Sequence, residues 1–370
     1  MELLNATPFA VAFTQGLAAD GRESLVVIAK GTFSLPLDGS EAPLASVQRP
    51  LVMADEYSGE PGLSALLREM DFSPGKPFCD VLVLGKAYAP GGRPVSQLTA
   101  GIRVGRVSKA FTVLGPRQWQ PGLIGAGAGV PQAFTEQPID YAHAFGGSYP
   151  VADNPELRDG YAANPCGRGW FPRSAATAQI VGMPMPTTEA LNQPVDSPHG
   201  DFTPMALGPI ARSWPPRIGY AGTYDEAWLA DGFPFLPADF DTRYYQAAPA
   251  DQQTDYLKGG EDVLLLCLTA QERAGFKVPR HHVPVTFFLT AGGHETLEAV
   301  IDTLLIDTDA GLVEVTWRIS RPLKRGMFDI AEVLVGSKPR GWWRARELGK
   351  DYYPSLADVR RADKPVEDAS

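Results

Sequence analysis

Between Trp119 and Gln253 prolines recur at Pro150, Pro155, Pro165, Pro172, Pro184, Pro186, Pro194, Pro198, Pro204, Pro209, Pro215 and Pro216. Each proline lacks a backbone N–H donor and fixes φ, so this spacing excludes long helices and central strands from the middle of the chain. Disorder would require low hydrophobicity and few aromatics. Instead Tyr141, Phe145, Tyr149, Tyr161, Trp170, Phe171, Trp214, Tyr220, Tyr224 and Trp228 crowd the same stretch. The middle is therefore predicted to be irregular and packed.

Strand signals flank it. Leu25 to Phe33 is rich in β-branched residues and ends at the turn-forming Pro36, Asp38 and Gly39. Asp80 to Tyr88 is apolar at both parities, as in a strand covered on both faces. Leu98 to Val104 alternates, and Gly105-Arg106 separates it from Val107 to Leu114, which predicts a hairpin. Leu63, Leu66, Leu67 and Met70 fall at helical spacing and predict a short helix over 62–70. Beyond Glu261, strands are predicted at Val263 to Leu268, Val283 to Thr290 and Thr296 to Ile306. In the last segment Val313, Val315, Trp317 and Ile319 alternate with Glu314, Thr316, Arg318 and Ser320, the pattern of a half-buried strand. An antiparallel meander is expected there. The fold class is mainly β with few short helices: two antiparallel β-sheet parts, 1–118 and 259–345, joined by the irregular middle 119–258 and followed by a polar tail, 346–370.

With 370 residues, 44% of them hydrophobic, the chain can bury a sizeable core. Its formal charge of −10 lacks the cationic footprint of a nucleic-acid partner. Cys79, Cys166 and Cys267 form no CxxC pair and read as thiols in a reducing compartment. No signal-peptide pattern and no apolar run near 20 residues occurs, so a cytoplasmic protein without membrane insertion is expected.

Signatures of chemistry are sparse. Gly122 to Gly129 lacks the Lys-Ser/Thr of a phosphate loop and reads as a packed or flexible loop. No GxSxG elbow is present. His281-His282 with His294 is the one histidine cluster; neighbours in a strand point to opposite faces, which argues against a shared metal. Asp225, Asp239 and Asp241 are candidates for a carboxylate-dependent hydrolase, although acids in proline-rich loops usually cap backbone N–H groups. The Arg321 to Arg346 segment sets Lys324, Arg325, Lys338, Arg340, Arg344 and Arg346 beside Trp342 and Trp343, and reads as a solvated flank packing its tryptophans. No catalytic residue, cofactor or metal site is assigned.

Longer motifs occupy the middle: YAHAFGG (Tyr141, Phe145, Gly146, Gly147), NPCGRGW (Asn164, Pro165, Gly167), AGTYDEAW (Gly222, Thr223, Tyr224, Asp225, Trp228) and FLPADFD (Asp239, Asp241). RYYQAAPADQQ, KGGEDVLLLCL and IDTLLID follow. In order and spacing they resemble a bacterial domain-of-unknown-function family encoded in type VI secretion effector clusters, over about Pro8 to Arg318. The chain resembles its stand-alone form, without pentapeptide repeats. Ala142-His143-Ala144 depart from the family's usual acidic-basic pair. The resemblance implies a non-enzymatic effector adaptor or chaperone whose partners are a toxin effector, a PAAR-like tip protein and a VgrG spike protein. An exported spike component is the alternative. The named motif residues are candidates for structure or partner binding, with the glycines suited to positive φ or close backbone approach, and Tyr224, Trp228 and Phe240 suited to pinning loops.

Overall fold

Strands predicted at the two ends of the chain pair with one another. The computed structural model describes residues 1–18, 20–123, 125–151, 154–324, 326–355 and 358, with backbone alone at 151 and 154–157. Its largest sheet has six strands in the order Gln253–Thr254, Cys79–Leu84, Val300–Asp307, Leu312–Pro322, Glu23–Ser34 and Ala10–Leu17. Neighbours are antiparallel except Cys79–Leu84 and Val300–Asp307, which run parallel with Val81 opposite Leu304. A five-stranded antiparallel sheet orders Thr188–Ala190, Val107–Leu114, Gln97–Val104, Asp262–Leu266 and Arg273–Lys277. The third sheet orders Glu2–Asn5, Ile330–Val335, Pro284–Leu289 and His294–Glu298.

The three sheets share one core. Val27, Ala29, Phe33, Val81, Leu304, Val313, Val315 and Trp317 leave one face of the large sheet and pack with Ile102, Phe111, Val263 and Phe276 of the second and Val285, Phe287 and Val333 of the third. Phe9 stacks on Trp317 with ring centroids 5.0 Å apart. Apolar residues at alternate positions of each strand build this core, as period-2 patterning requires.

Four expectations differ from the structure. No helix forms over 62–70: Leu66–Arg68 pairs with Glu56–Tyr57, and Gly62 sits in a turn at φ +83°. A nine-residue window is marginal as a helix, and burial of Leu66 together with the charge contacts of Arg68 decides the conformation. Thr296 to Ile306 divides at Ala299 into strands of two different sheets, so the C-terminal hairpins do not form a single meander. His281 and His282 precede the strand Pro284–Leu289 in irregular chain, so the strand-based argument about their faces does not apply. Finally, Glu314, Thr316 and Arg318, expected on a solvated face, are all buried.

The middle is irregular and packed. Trp119, Phe145, Phe171, Ile180, Met185 and Val195 form one small apolar cluster, and Tyr141, Ala206, Ile210, Ala211 and Trp214 form another. Gly122 to Gly129 spans the hairpin Trp119–Pro121 with Ala126–Ala128, Ile124 lying outside the described residues. Trp342 and Trp343, on the helix Arg340–Glu347, pack against Phe288, and Arg346 lies 3.7 Å from the Phe288 ring centre. Arg325 and the tail beyond residue 355, apart from Asp358, lie outside the described residues.

Candidate partner-binding site

The motif residues of the middle separate into a buried knot and an exposed lobe. Asn164 is the hub of the knot. Fully buried, it donates through Nδ2 to the carbonyls of Tyr141 (2.8 Å) and Phe145 (3.0 Å), while its own carbonyl accepts from Gly147 N (2.9 Å). Two loops close upon each other here, leaving no room for side chains. A Cβ on Gly146, at φ +148°, would lie 2.1 Å from the Asn164 carbonyl oxygen, and one on Gly167 would lie 2.4 Å from Asn164 Nδ2. Gly147 is likewise at positive φ, +127°. Phe145 meets Tyr161 and Phe202 edge-on, and Tyr141 meets Trp214 in the same way. Burial pushes the Tyr141 hydroxyl to higher pKa, so it stays protonated. Pro165 is half-buried, and the His143 ring pairs with Asp140 at 2.6 Å. Burial raises the Cys166 thiol to about 12, which leaves it inert.

The lobe, 217–245, has the opposite character. Gly222, at φ +83°, turns the chain so that Asp239 accepts from both Thr223 N (2.9 Å) and Thr223 Oγ1 (2.8 Å). Asp225 caps the turn Trp228–Gly232 by accepting from Trp228 N at 2.8 Å, and Trp228 Nε1 donates to the Phe235 carbonyl at 2.9 Å. Asp241 accepts from Arg243 N at 2.8 Å and pairs with its guanidinium. The Thr223 backbone holds Asp239, and the Arg243 side chain holds Asp241, below the usual carboxylate range. All three candidate acids are thus engaged in local caps, and no hydrogen bond or ion pair joins any two of them among the described residues. Among those residues, no group of three or more His, Cys, Asp or Glu comes together as a metal would require.

These caps hold apolar side chains out in water. Tyr224, Leu229, Phe233 and Phe235 are 54, 62, 64 and 47% exposed, and Ile218 is 48% exposed. Tyr224 and Phe233 pack edge-on against Trp228, so the patch is ordered from beneath by a half-buried tryptophan. Tyr224, a candidate for pinning a loop, packs on Trp228 with one edge while more than half of it faces solvent. Large apolar groups so exposed are unusual on a folded surface and make the lobe the candidate site for a partner. Ile218, Leu229, Phe233 and Phe235 escaped sequence reasoning because single apolar residues among prolines and acids have no period to reveal them.

The lobe is rooted in charge buried beneath it. Arg217, 1% exposed, donates to the carbonyls of Ile210 (2.7 Å) and Tyr244 (2.9 Å) and pairs with Glu69. Glu69 also pairs with Arg212 at 3.0 Å and Lys76 at 3.8 Å. Lys76 pairs with the fully buried Asp80 at 2.7 Å, and Asp80 accepts from Ala247 N at 2.8 Å. Beyond Lys76, on the same face of the large sheet, Glu314 binds Lys30 (2.9 Å), Arg49 (2.7 Å) and Arg68 (2.6 Å), while Arg318 holds Asp302 at 2.5 Å. Each buried charge has an opposite partner, the condition on which such a layer is tolerated. Fixed geometry passes from sheet to lobe through these pairs.

A family model of uncharacterized proteins conserved in bacteria, DUF2169, matches residues 20–318. The chain belongs to that family. The DUF2169 region takes in the large sheet from Glu23 to Arg318, without its edge strand Ala10–Leu17, together with the knot and the lobe, and ends before the Trp342-Trp343 helix. No curated protein and no solved structure matches. No helix among the described residues is long and apolar enough to cross a membrane.

Proposed function

We propose that this DUF2169 protein is a type VI secretion effector adaptor, a non-enzymatic cytoplasmic protein that binds a toxin, or its PAAR-like segment, and helps to mount it on the VgrG spike. The observation that carries this reading is the lobe: five large apolar side chains displayed to water on a framework of backbone caps, in the segment whose motifs resemble adaptor sequences. Such a surface suits a protein partner, since ordered aromatic and aliphatic groups provide binding energy at small entropic cost. Supporting it, Asp225, Asp239 and Asp241 are occupied by turn capping, the role that leaves them least available for proton transfer.

The test is co-purification of the tagged protein with the toxin encoded beside it and with VgrG. The wild type is expected to retain the toxin, and the L229D/F233D double variant, changed only at exposed positions, is expected to lose it while keeping its circular-dichroism spectrum and melting temperature. Deleting the gene should abolish toxin secretion without reducing toxin activity. Normal secretion from the deletion strain overturns the proposal.

A further inference from the structure

The five-stranded sheet has a face that its own sequence treats as interior. Along Asp262–Leu266, Val263 and Leu265 are buried in the core, yet Leu264 between them is 43% exposed and Leu266 is only half-buried. A strand apolar at both parities is the mark of a sheet covered on both sides. Here the second cover is missing at one end. At the Thr188–Ala190 edge this outer face is closed: Glu189, opposite Thr112, is buried against Arg117. Toward Leu264 it is open, and Gly101, Ala110, Leu264 and Leu266 line a trough of about 310 Å³.

Charge marks the occupant. Arg103 stands directly beside Leu264 on one neighbouring strand, and Arg273 directly beside Leu266 on the other. Both are exposed, and neither makes a side-chain ion pair or hydrogen bond among the described residues. Asp262, the carboxylate whose charge Arg103 feels, is already held by Lys277 at 2.6 Å. On a chain of net charge −10, two unpaired arginines diagonally flanking the exposed Leu264 and half-buried Leu266 form a local positive frame around an apolar floor. A strand could not add here, because Asp262–Leu266 is paired on both edges. The open face crosses four strands, or about 14 Å at ~4.8 Å per spacing. That span matches roughly ten residues of helix.

We infer that this face is a docking site for an amphipathic helix of a partner protein, with its apolar stripe on Leu264 and Leu266 and its flanking carboxylates on Arg103 and Arg273. The inference is independent of the adaptor reading, which rests on the lobe: either surface can fail its test while the other passes.

The probe is a pair of fluorescein-labelled peptides of about twelve residues. They share one helical leucine stripe, flanked in one peptide by glutamates and in the other by lysines, and binding is read by anisotropy against the full chain. The glutamate peptide is expected to bind and the lysine peptide not to. The R103E/R273E double variant, both changes being at exposed positions, should weaken the glutamate peptide by about tenfold or more and create affinity for the lysine peptide. Equal binding of the two peptides, no binding of either, or an unchanged preference in the double variant would each overturn the inference. So would light scattering that finds a dimer which L264D splits, since a second copy would then be the cover.

Discussion

Replacing Glu314 by glutamine should remove a large part of the protein's stability, and should do so in a pH-dependent way. Glu314 is 2% exposed and accepts from Lys30, Arg49 and Arg68 at 2.9, 2.7 and 2.6 Å. Burial alone would raise its pKa, but Lys30 and Arg68 prevail and bring it from an ordinary 4.5 down to about 2. Because the folded value lies below the unfolded one, the unfolded chain binds more protons in this window and stability grows with pH. The resulting contribution is about 3 kcal/mol, complete above about pH 5, roughly halved at pH 3 and nearly gone close to pH 2. Urea denaturation of wild type and E314Q at pH 7, 5 and 3 measures it. The gap between the two proteins should be about 3 kcal/mol at pH 7 and should narrow at pH 3. A gap below about 1 kcal/mol at neutral pH, or one of equal size at pH 3 and pH 7, would refute the reasoning that this carboxylate is the anchor of the buried layer.

Other perturbations separate knot, lobe and core. N164A removes two buried hydrogen bonds and orphans the carbonyl of Phe145, that of Tyr141 keeping the Ala144 N–H at 3.3 Å, so thermal or urea denaturation should show a loss of about 2–4 kcal/mol. G146A, which places a Cβ 2.1 Å from the Asn164 carbonyl oxygen at a positive φ, should be at least as damaging, measured as the yield of soluble protein and its melting temperature. D239A frees Thr223 and should speed limited proteolysis between 222 and 241 while leaving the melting temperature of the sheets unchanged. W317A opens a cavity beneath Phe9 and should cost about 3–5 kcal/mol in urea denaturation, without affecting cleavage of the lobe.

The strands were legible wherever alternation or a β-branched run had local support. Glu23–Ser34 follows from LVVIAKGTF, and the hairpin of Gln97–Val104 with Val107–Leu114 follows from alternation broken at Gly105-Arg106, where Gly105 takes φ +55°. Sheet partners were not legible, because hydrophobic period says which side of a strand is buried but not which strand lies next to it. Cys79–Leu84 pairs in parallel with Val300–Asp307, more than two hundred residues away, and no local signal could announce that. The helical spacing over 62–70 misled for a related reason: it scored apolar residues alone, whereas Arg68 is held by Asp307 and Glu314.

The burial of polar residues was the least legible feature. Alternation in Val313 to Ser320 identifies a strand correctly, but it identifies a solvated face only if nothing covers the polar side. Two kinds of segment cover it, and neither has a period to read. One is the stretch carrying Arg49, Arg68, Asp71 and Lys76; the other is the proline-rich middle that supplies Arg217, Gln246 and Ala247. Prolines that forbid regular structure also free the backbone to follow the charged sheet closely, with Ala247 N reaching Asp80 at 2.8 Å and Arg217 reaching Glu69. The same lack of regularity then lets the chain leave the sheet at Arg217 and return at Tyr244 as a capped lobe, holding Leu229 and Phe233 out in water. The middle segment is thus both the lid on the buried charges and the mount of the display surface. A substitution in the charged layer at Glu69 should accordingly loosen the lobe from a distance, and E69Q should raise the rate of lobe proteolysis before it lowers the melting temperature of the sheets.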